Sequence, residues 1–193
     1  NDLFYQQIDV IKSILTDNMN KIIEKTKTEK KDNLVFHISD KKKFSDKRHA
    51  LIVYARYKGR QLVIIKPSTF MNLSGKAVNY WLEQEEIDSE NLLVIADDIA
   101  LPFGQSRIKK QGSDGGHNGL SSVIETLGTN EFPRLRFGIG SDFHKGGQVD
   151  YVLGKWREEE NKMLPEKISV AVEAIRSFVT TGTEKTMAQF NKK

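Results

Sequence analysis

The strongest constraint on how this chain folds lies between Asn91 and Gly119. A continuous apolar run, Leu92 to Ala96, ends in two acids, Asp97 and Asp98. A Pro102-Phe103-Gly104 turn and the basic segment Arg107-Ile108-Lys109-Lys110 follow, and then Gly112, Gly115 and Gly116 lead to His117 and Asn118 at the mouth of an amphipathic segment. An unbroken apolar run predicts a strand covered on both faces. A buried strand that delivers carboxylates to its C-terminal end, beside a basic loop and a glycine turn that opens a helix, is where open α/β sheets place their sites.

The rest of the chain supports that class. Residues 2–24 carry Phe4, Ile8, Ile11, Leu15, Met19 and Ile22 at helical spacing, and Leu34, Phe36 and Ile38 alternate as in a short strand. Ala50–Tyr57 and Gln61–Ile65 are β-rich runs joined across Lys58-Gly59-Arg60, which predicts a hairpin. Pro67 stops the second run, residues 68–75 form a loop, and Ala77, Val78, Trp81 and Leu82 mark a helical face. Leu120, Val123, Ile124 and Leu127 mark a further helix, with Gly128 as its C-cap. Leu135–Gly140 reads as a strand, Ile168 to Val179 as a helix ending near Gly182, and Met187 with Phe190 as a short terminal helix. Strands alternating with helices predict an α/β fold: a single three-layer domain over residues 1–193, with a mixed, mostly parallel sheet flanked by helices.

Composition narrows the function classes. The 193 residues, 38% hydrophobic and 29% charged, are ordinary for a globular domain with a sizeable core. The absence of cysteine excludes disulfides and thiolate metal sites, and it is compatible with a reducing cytosol. No apolar run approaches the ~20 residues of a membrane span, and the N-terminal stretch lacks a signal-peptide core. The expectation is a cytoplasmic protein that does not engage a membrane. Net charge is +4, bunched at Lys41-Lys42-Lys43, Lys47-Arg48 and Arg107 to Lys110. A solvated face explains such clusters singly, and the one beside the acids and glycines also suits a phosphate.

Several residues are candidates for chemistry, each with a plainer reading beside it. Asp97 and Asp98 can orient a histidine or bind a metal, or serve as turn acids. Asn72 and Asn118 can donate to an oxyanion, or cap a turn or helix. Lys109 and Arg136 can clamp a phosphate or be solvated charges, and Phe70 can pack on a ribose or base, or in the core. His117, at a helix start, fits a catalytic or a structural role. His37, His49 and His144 lie on unrelated segments, and no pair has metal-ligand spacing. No P-loop, G-x-G-x-x-G or nucleophile elbow is present.

Five ordered blocks, KPSTFMNLSG (66–75), VIADDIALPFG (94–104), KKQGSDGGHNGL (109–120), FPRLRFGIG (132–140) and GGQVDYVLGKW (146–156), resemble the bacterial-type peptidyl-tRNA hydrolase family. The match begins near residue 45, and its details lean toward versions from Bacteroidetes-like bacteria. The resemblance implies hydrolysis of the ester between a peptide and the 3′ ribose of tRNA, by a monomer that needs no metal or cofactor. It implies that Asp97 orients a catalytic histidine and that Asn72 contacts substrate and helps place the water. It further implies that Phe70 makes an aromatic substrate contact, that Asn118 meets the peptidyl end, and that Lys109 and Arg136 hold the tRNA phosphate.

One departure concerns the base. The family opens with a strand ending in G-L-G-N-P-G and then T-R-H-N-x-G-F, which holds the histidine, and neither motif occurs here. Aligning Asn1-Asp2-Leu3-Phe4 with N-x-G-F places that histidine before residue 1; aligning Asp32-Asn33-Leu34-Val35-Phe36 puts an aspartate in its place. Three explanations follow: a truncated or altered N-terminal part, His37 as the base, or an inactive relative that only binds RNA. The first is preferred, because Asp97, Asn72 and Asn118 are all retained. A nucleotide-binding regulatory module is a further alternative.

Overall fold

A computed structural model describes residues 44–191. The helical pattern over 2–24, the alternating stretch 33–39, the lysines at 41–43 and His37 lie outside the described residues. The first sheet is antiparallel, built from β1 (Ser45–Lys47), β2 (Ala50–Tyr57) and β3 (Arg60–Pro67). Lys58 and Gly59 make a two-residue turn with φ of 46° and 80°. Two positive φ values match the twist of a tight hairpin, and glycine adopts one without strain. Arg60, expected in the turn, opens β3 opposite Tyr57 instead.

The second sheet holds β4 (Val94–Asp98), β5 (Ser106–Lys109) and β6 (Arg134–Gly138) in the order β4-β6-β5. The expected α/β class holds, with helices packed on a mixed sheet. Among the described residues β4–β6 is the parallel pair, while β1–β2, β2–β3 and β5–β6 are antiparallel, so the mixed character holds and the described pairs are mostly antiparallel. The reason is connectivity: β5 follows β4 across a turn with no α-helix between them and so runs back against it, and the chain from residue 110 to 133 then returns to β6, which lies parallel to β4 and antiparallel to β5. The basic segment expected as a loop is therefore a strand. Within its sheet β4 is an outer strand among the described residues, and Ile95 keeps 40% of its surface, so this apolar run is not covered on both faces there.

Five helices complete the described chain: α1 (Ser74–Gln84), α2 (Asn118–Leu127), α3 (Gln148–Leu153), α4 (Glu158–Thr181) and α5 (Thr183–Phe190). Gly128 ends α2 in the left-handed conformation, φ 67°, as the sequence predicts. The helix α3 lies where the sequence pattern marked no element, and α4 runs through Pro165, which removes one backbone donor from its interior.

Two cores hold the layers together. Ile108, Leu135 and Phe137 pack on Leu164, Ile168 and Val172 of α4. Ala96 and Phe132 pack with Val78 of α1 and with Leu120 and Val123 of α2. Each fully buried aliphatic or aromatic side chain contributes roughly 1.5–3 kcal/mol. The edge of β5 is closed by Asn191, whose amide accepts from Ile108 N at 2.9 Å and donates to Ile108 O at 2.8 Å, as a paired strand would.

Candidate active site

The two acids at the end of β4 are sorted by the pleat, which sends adjacent side chains to opposite faces. Asp98 is buried and its two oxygens are engaged. Oδ1 accepts from the backbone N–H of Ala100 at 2.9 Å, and Oδ2 lies 2.9 Å from Arg136 Nε. Asp98 thus fixes the turn after β4 to β6. Asp97 faces the start of α2, and its Oδ1 lies 3.1 Å from His117 Nε2. Burial pushes the Asp97 carboxyl up, but the His117 hydrogen bond and the positive end of that ring, its own backbone N–H and the Arg136 charge outweigh this and hold it below the usual range.

His117 is the N-cap of α2. Its Nδ1 accepts from Gly119 N at 3.0 Å and from Leu120 N at 3.2 Å. Two donors aimed at one nitrogen require that nitrogen to be bare, so the ring proton sits on Nε2 and is donated to Asp97. Both nitrogens are committed, and no lone pair remains to take a proton from water. Of the two readings open in the sequence, the structure selects the structural one. Ahead of it, Gly115 and Gly116 turn at φ 63° and 81°, and Asp114 Oδ1 accepts from Gly116 N at 2.7 Å.

Asn72 sits in a single 3-10 turn, Met71–Leu73, just before α1. Two close approaches bring that turn to the start of α2. A Cβ on Gly119 would fall 2.5 Å from Met71 Sδ, and one on Gly75 would fall 2.2 Å from Ser122 O. The Gly75 N–H also donates to Ser122 Oγ at 3.0 Å. Only glycine at 75 and 119 permits this contact, so the neighbours of Asn72 and Asn118 touch while both asparagines stay exposed. Phe70 is 56% exposed beside them, not in the core.

The cations divide in the same way. Register places Arg107 opposite Arg136 and Lys109 opposite Arg134, so all four lie on one face of β5–β6. Arg134 is fully buried; its Nη1 donates to Gly112 O at 2.8 Å and its Nη2 to Asn130 O at 2.8 Å, strapping the chain before the glycine turn to β6. Arg136, expected at the phosphate, is largely buried, paired with Asp98 and lies directly under Gly115. Lys109 and Arg107 are exposed. Arg134 as a fixing group, and Arg107 as the cross-strand neighbour of Arg136, are what sequence reading missed. The period-2 alternation of Arg107 with Lys109 and of Arg134 with Arg136 was the available signal.

The other described histidines stand apart from this arrangement. His49 lies in the β1–β2 turn with its ring edge-on to Tyr80 at 5.8 Å, and burial, then Lys76 and Arg48, lower its pKa. His144 lies exposed in the loop before α3, its ring against Gly147. Among the described residues no three acids or histidines cluster as a metal site, and no helix is long and apolar enough to cross a membrane.

An anionic carboxylate, two exposed side-chain amides and a cationic strand around a helix N-terminus suit attack on a carbonyl attached to a phosphate-bearing chain. Comparison with known proteins agrees. The model of the peptidyl-tRNA hydrolase family matches residues 18–193. A peptidyl-tRNA hydrolase of Parabacteroides distasonis is 54% identical over 150 residues, covering 78% of this chain and 80% of that protein. One of Bacteroides fragilis is 52% identical over the same shares. The crystal structure of the Acinetobacter baumannii peptidyl-tRNA hydrolase superposes with a TM-score of 0.71 at 28% identity, over 77% of this chain and 76% of that one. With the family model spanning most of its length and relatives at half identity, the chain belongs to the peptidyl-tRNA hydrolase family.

Proposed function

We propose that this protein is an enzyme that hydrolyses the ester joining a peptide to the 3′ ribose of tRNA, with Asp97, Asn72 and Asn118 at the reacting centre. One observation carries the reading. Segments 70–73, 94–98 and 114–119, remote in sequence, converge with Asp97 half-buried and anionic while both asparagines stay exposed. A base takes a proton from water, and the water oxygen attacks the ester carbonyl. The oxyanion that forms is met by amide N–H donors from Asn72 and Asn118. Its collapse breaks the bond to the 3′ oxygen, which leaves with the proton returned by the base. An ester is already activated, so one placed water, one base and a few donors suffice.

His117 is spent as a cap, and His49 and His144 sit elsewhere, so the base in this reading is a histidine outside residues 44–191. His37 is the candidate within this sequence. Phe70 stacks on substrate, and Lys109, with Arg136 on the same face of β5–β6, holds phosphate without reading bases. The protein acts as a cytoplasmic monomer without a metal. The test is release of peptide from a peptidyl-tRNA in excess EDTA, with Asp97→Ala and Asn118→Ala as controls. Wild-type cleavage no faster than either control sinks the reading. Assaying His37→Ala tests that residue as the base: cleavage equal to wild type excludes it.

A further inference from the structure

The basic pair Lys47-Arg48 is a motif that the proposed chemistry leaves without a task, and the fold carries it to α1 rather than to β5. The β1–β2 turn is fixed from two sides. Trp81 Nε1 of α1 donates to Arg48 O at 3.1 Å, and Ser68 N, in the loop that leads to Phe70 and Asn72, donates to His49 O at 2.9 Å. His49 sits at φ 65°, a left-handed conformation that surrounding contacts must hold. The turn presents Arg48 with its Cζ 5.1 Å from the centre of the Tyr80 ring, and His49 meets that ring edge-on at 5.8 Å. Lys76, one helical turn before Tyr80, joins the same group: burial, then Lys76 and Arg48, lower the His49 pKa. Arg48 and Lys76 are exposed, and among the described residues neither makes an ion pair, unlike Lys110 with Glu184 or Arg157 with Asp142. The acids near the end of α1, Glu83 and Glu85, are engaged by Asn79 and Tyr54.

We propose that Arg48 and Lys76 form a cationic contact for the sugar–phosphate backbone of tRNA, separate from Lys109 and built on the β1–β2 turn and α1. The proposal rests on the peptidyl-tRNA reading above and deepens it, because it names a further place where the RNA part of the substrate is held. Two cations without acidic partners attract a polyanion, and the counterions it releases drive the contact without any base being read. Tyr80 holds the Arg48 guanidinium through a cation–π contact, so the group loses less freedom when it meets phosphate. RNA fits this surface better than the peptide does. Every phosphate carries the same charge in every substrate, whereas peptide side chains change from one substrate to the next, and fixed cations serve the constant part. The position suits that partner. The turn abuts Ser68, and Lys76 follows Asn72 by four residues, roughly 6–8 Å of rise along the 3-10 turn and the first turn of α1.

The experiment measures binding of deacylated tRNA to the full chain across a salt series, for wild type, Arg48→Gln, Lys76→Gln and the double variant, with thermal melting to verify folding. Lys76→Gln, at an exposed helix position, carries the test alone if Arg48→Gln does not fold. Lys58→Gln is the control: Lys58 is an exposed cation over an aromatic ring, Tyr57 at 5.7 Å, at the opposite end of β2. Each folded single variant is expected to reduce the slope of log Kd against log salt by about 0.7–0.9, and the double variant by about twice that. The control keeps the wild-type slope. A wild-type slope in either folded single variant overturns the proposal, and so does an equal fall in Lys58→Gln. If the slopes stay unchanged while Arg48→Gln and Lys76→Gln slow the cleavage of acidic peptides alone, the surface belongs to the peptide and the RNA contact is likewise overturned. A wild type that shows these slopes yet cleaves no ester overturns the function reading and leaves the RNA contact standing. A wild type that binds no tRNA overturns both.

Discussion

The floor beneath the glycine turn and the rim above it use the same kinds of residue and differ in what satisfies them. In the floor, Asp98 and Arg134 are buried and Arg136 largely so: Asp98 meets a backbone N–H and the Arg136 charge, and Arg134 donates to four carbonyls. At the rim, Asn72, Asn118 and Lys109 are exposed, and Asp97 is half-committed through one oxygen. The same charge on adjacent residues thus has opposite work. Asp98 ties the turn after β4 to β6, and Asp97 is the one proposed to serve the reaction. The lesson is that partners, not residue type, separate scaffold from chemistry.

This comparison breaks if the two acids respond alike. Asp97→Ala is expected to lower kcat by about 10²–10⁴-fold, the range for loss of acid–base function, with little change in melting temperature; steady-state kinetics and melts of the same sample check it. Asp98→Ala is expected to do the reverse. It leaves Arg136 buried without its counter-ion and costs about 3–5 kcal/mol of stability, read from urea unfolding. Next in size, Asn118→Ala or Asn72→Ala should each remove an oxyanion donor and cost about 10²–10³-fold in kcat, with stability unchanged. Gly75→Ala sharpens the comparison from the scaffold side. A methyl forced against Ser122 O should cost about 1–3 kcal/mol as overpacking and displace Asn72, so kcat falls together with stability. Lys109→Ala should act at the rim alone, reducing the slope of log Kd against log salt for tRNA by about 1.

The smallest expected effect is on pH. The folded Asp97 carboxyl lies below the unfolded value of 3.8. Its stabilisation is therefore fully present above that value and is lost as pH falls through the folded value. Urea melts at pH 5 and pH 3 should show wild type losing more stability than Asp97→Asn. Equal losses sink this assignment.

Much of the fold was legible because local rules decide it. Lys58-Gly59 announced a tight hairpin, Gly128 announced a helix end, and Leu120, Val123 and Leu127 announced the buried side of α2. The strand β5 was not legible, because three of the five residues from Ser106 to Lys110 are cations and its pairing partner lies some 27 residues away. Of the candidate site, Asp97, Asn72 and Asn118 were singled out in the sequence, and the structure brings the segments that carry them together. Arg136 shows the limit: it was expected at a phosphate and lies instead in an ion pair under Gly115.

By itself the sequence determined the α/β class, the elements with strong periodicity and the family, since each rests on neighbours along the chain or on ordered blocks. Tertiary structure alone decided which acid faces α2, which cations are buried and that His117 is a cap. Those outcomes depend on groups brought together across dozens of residues, where burial makes every unsatisfied donor or acceptor costly and so fixes each one's partner.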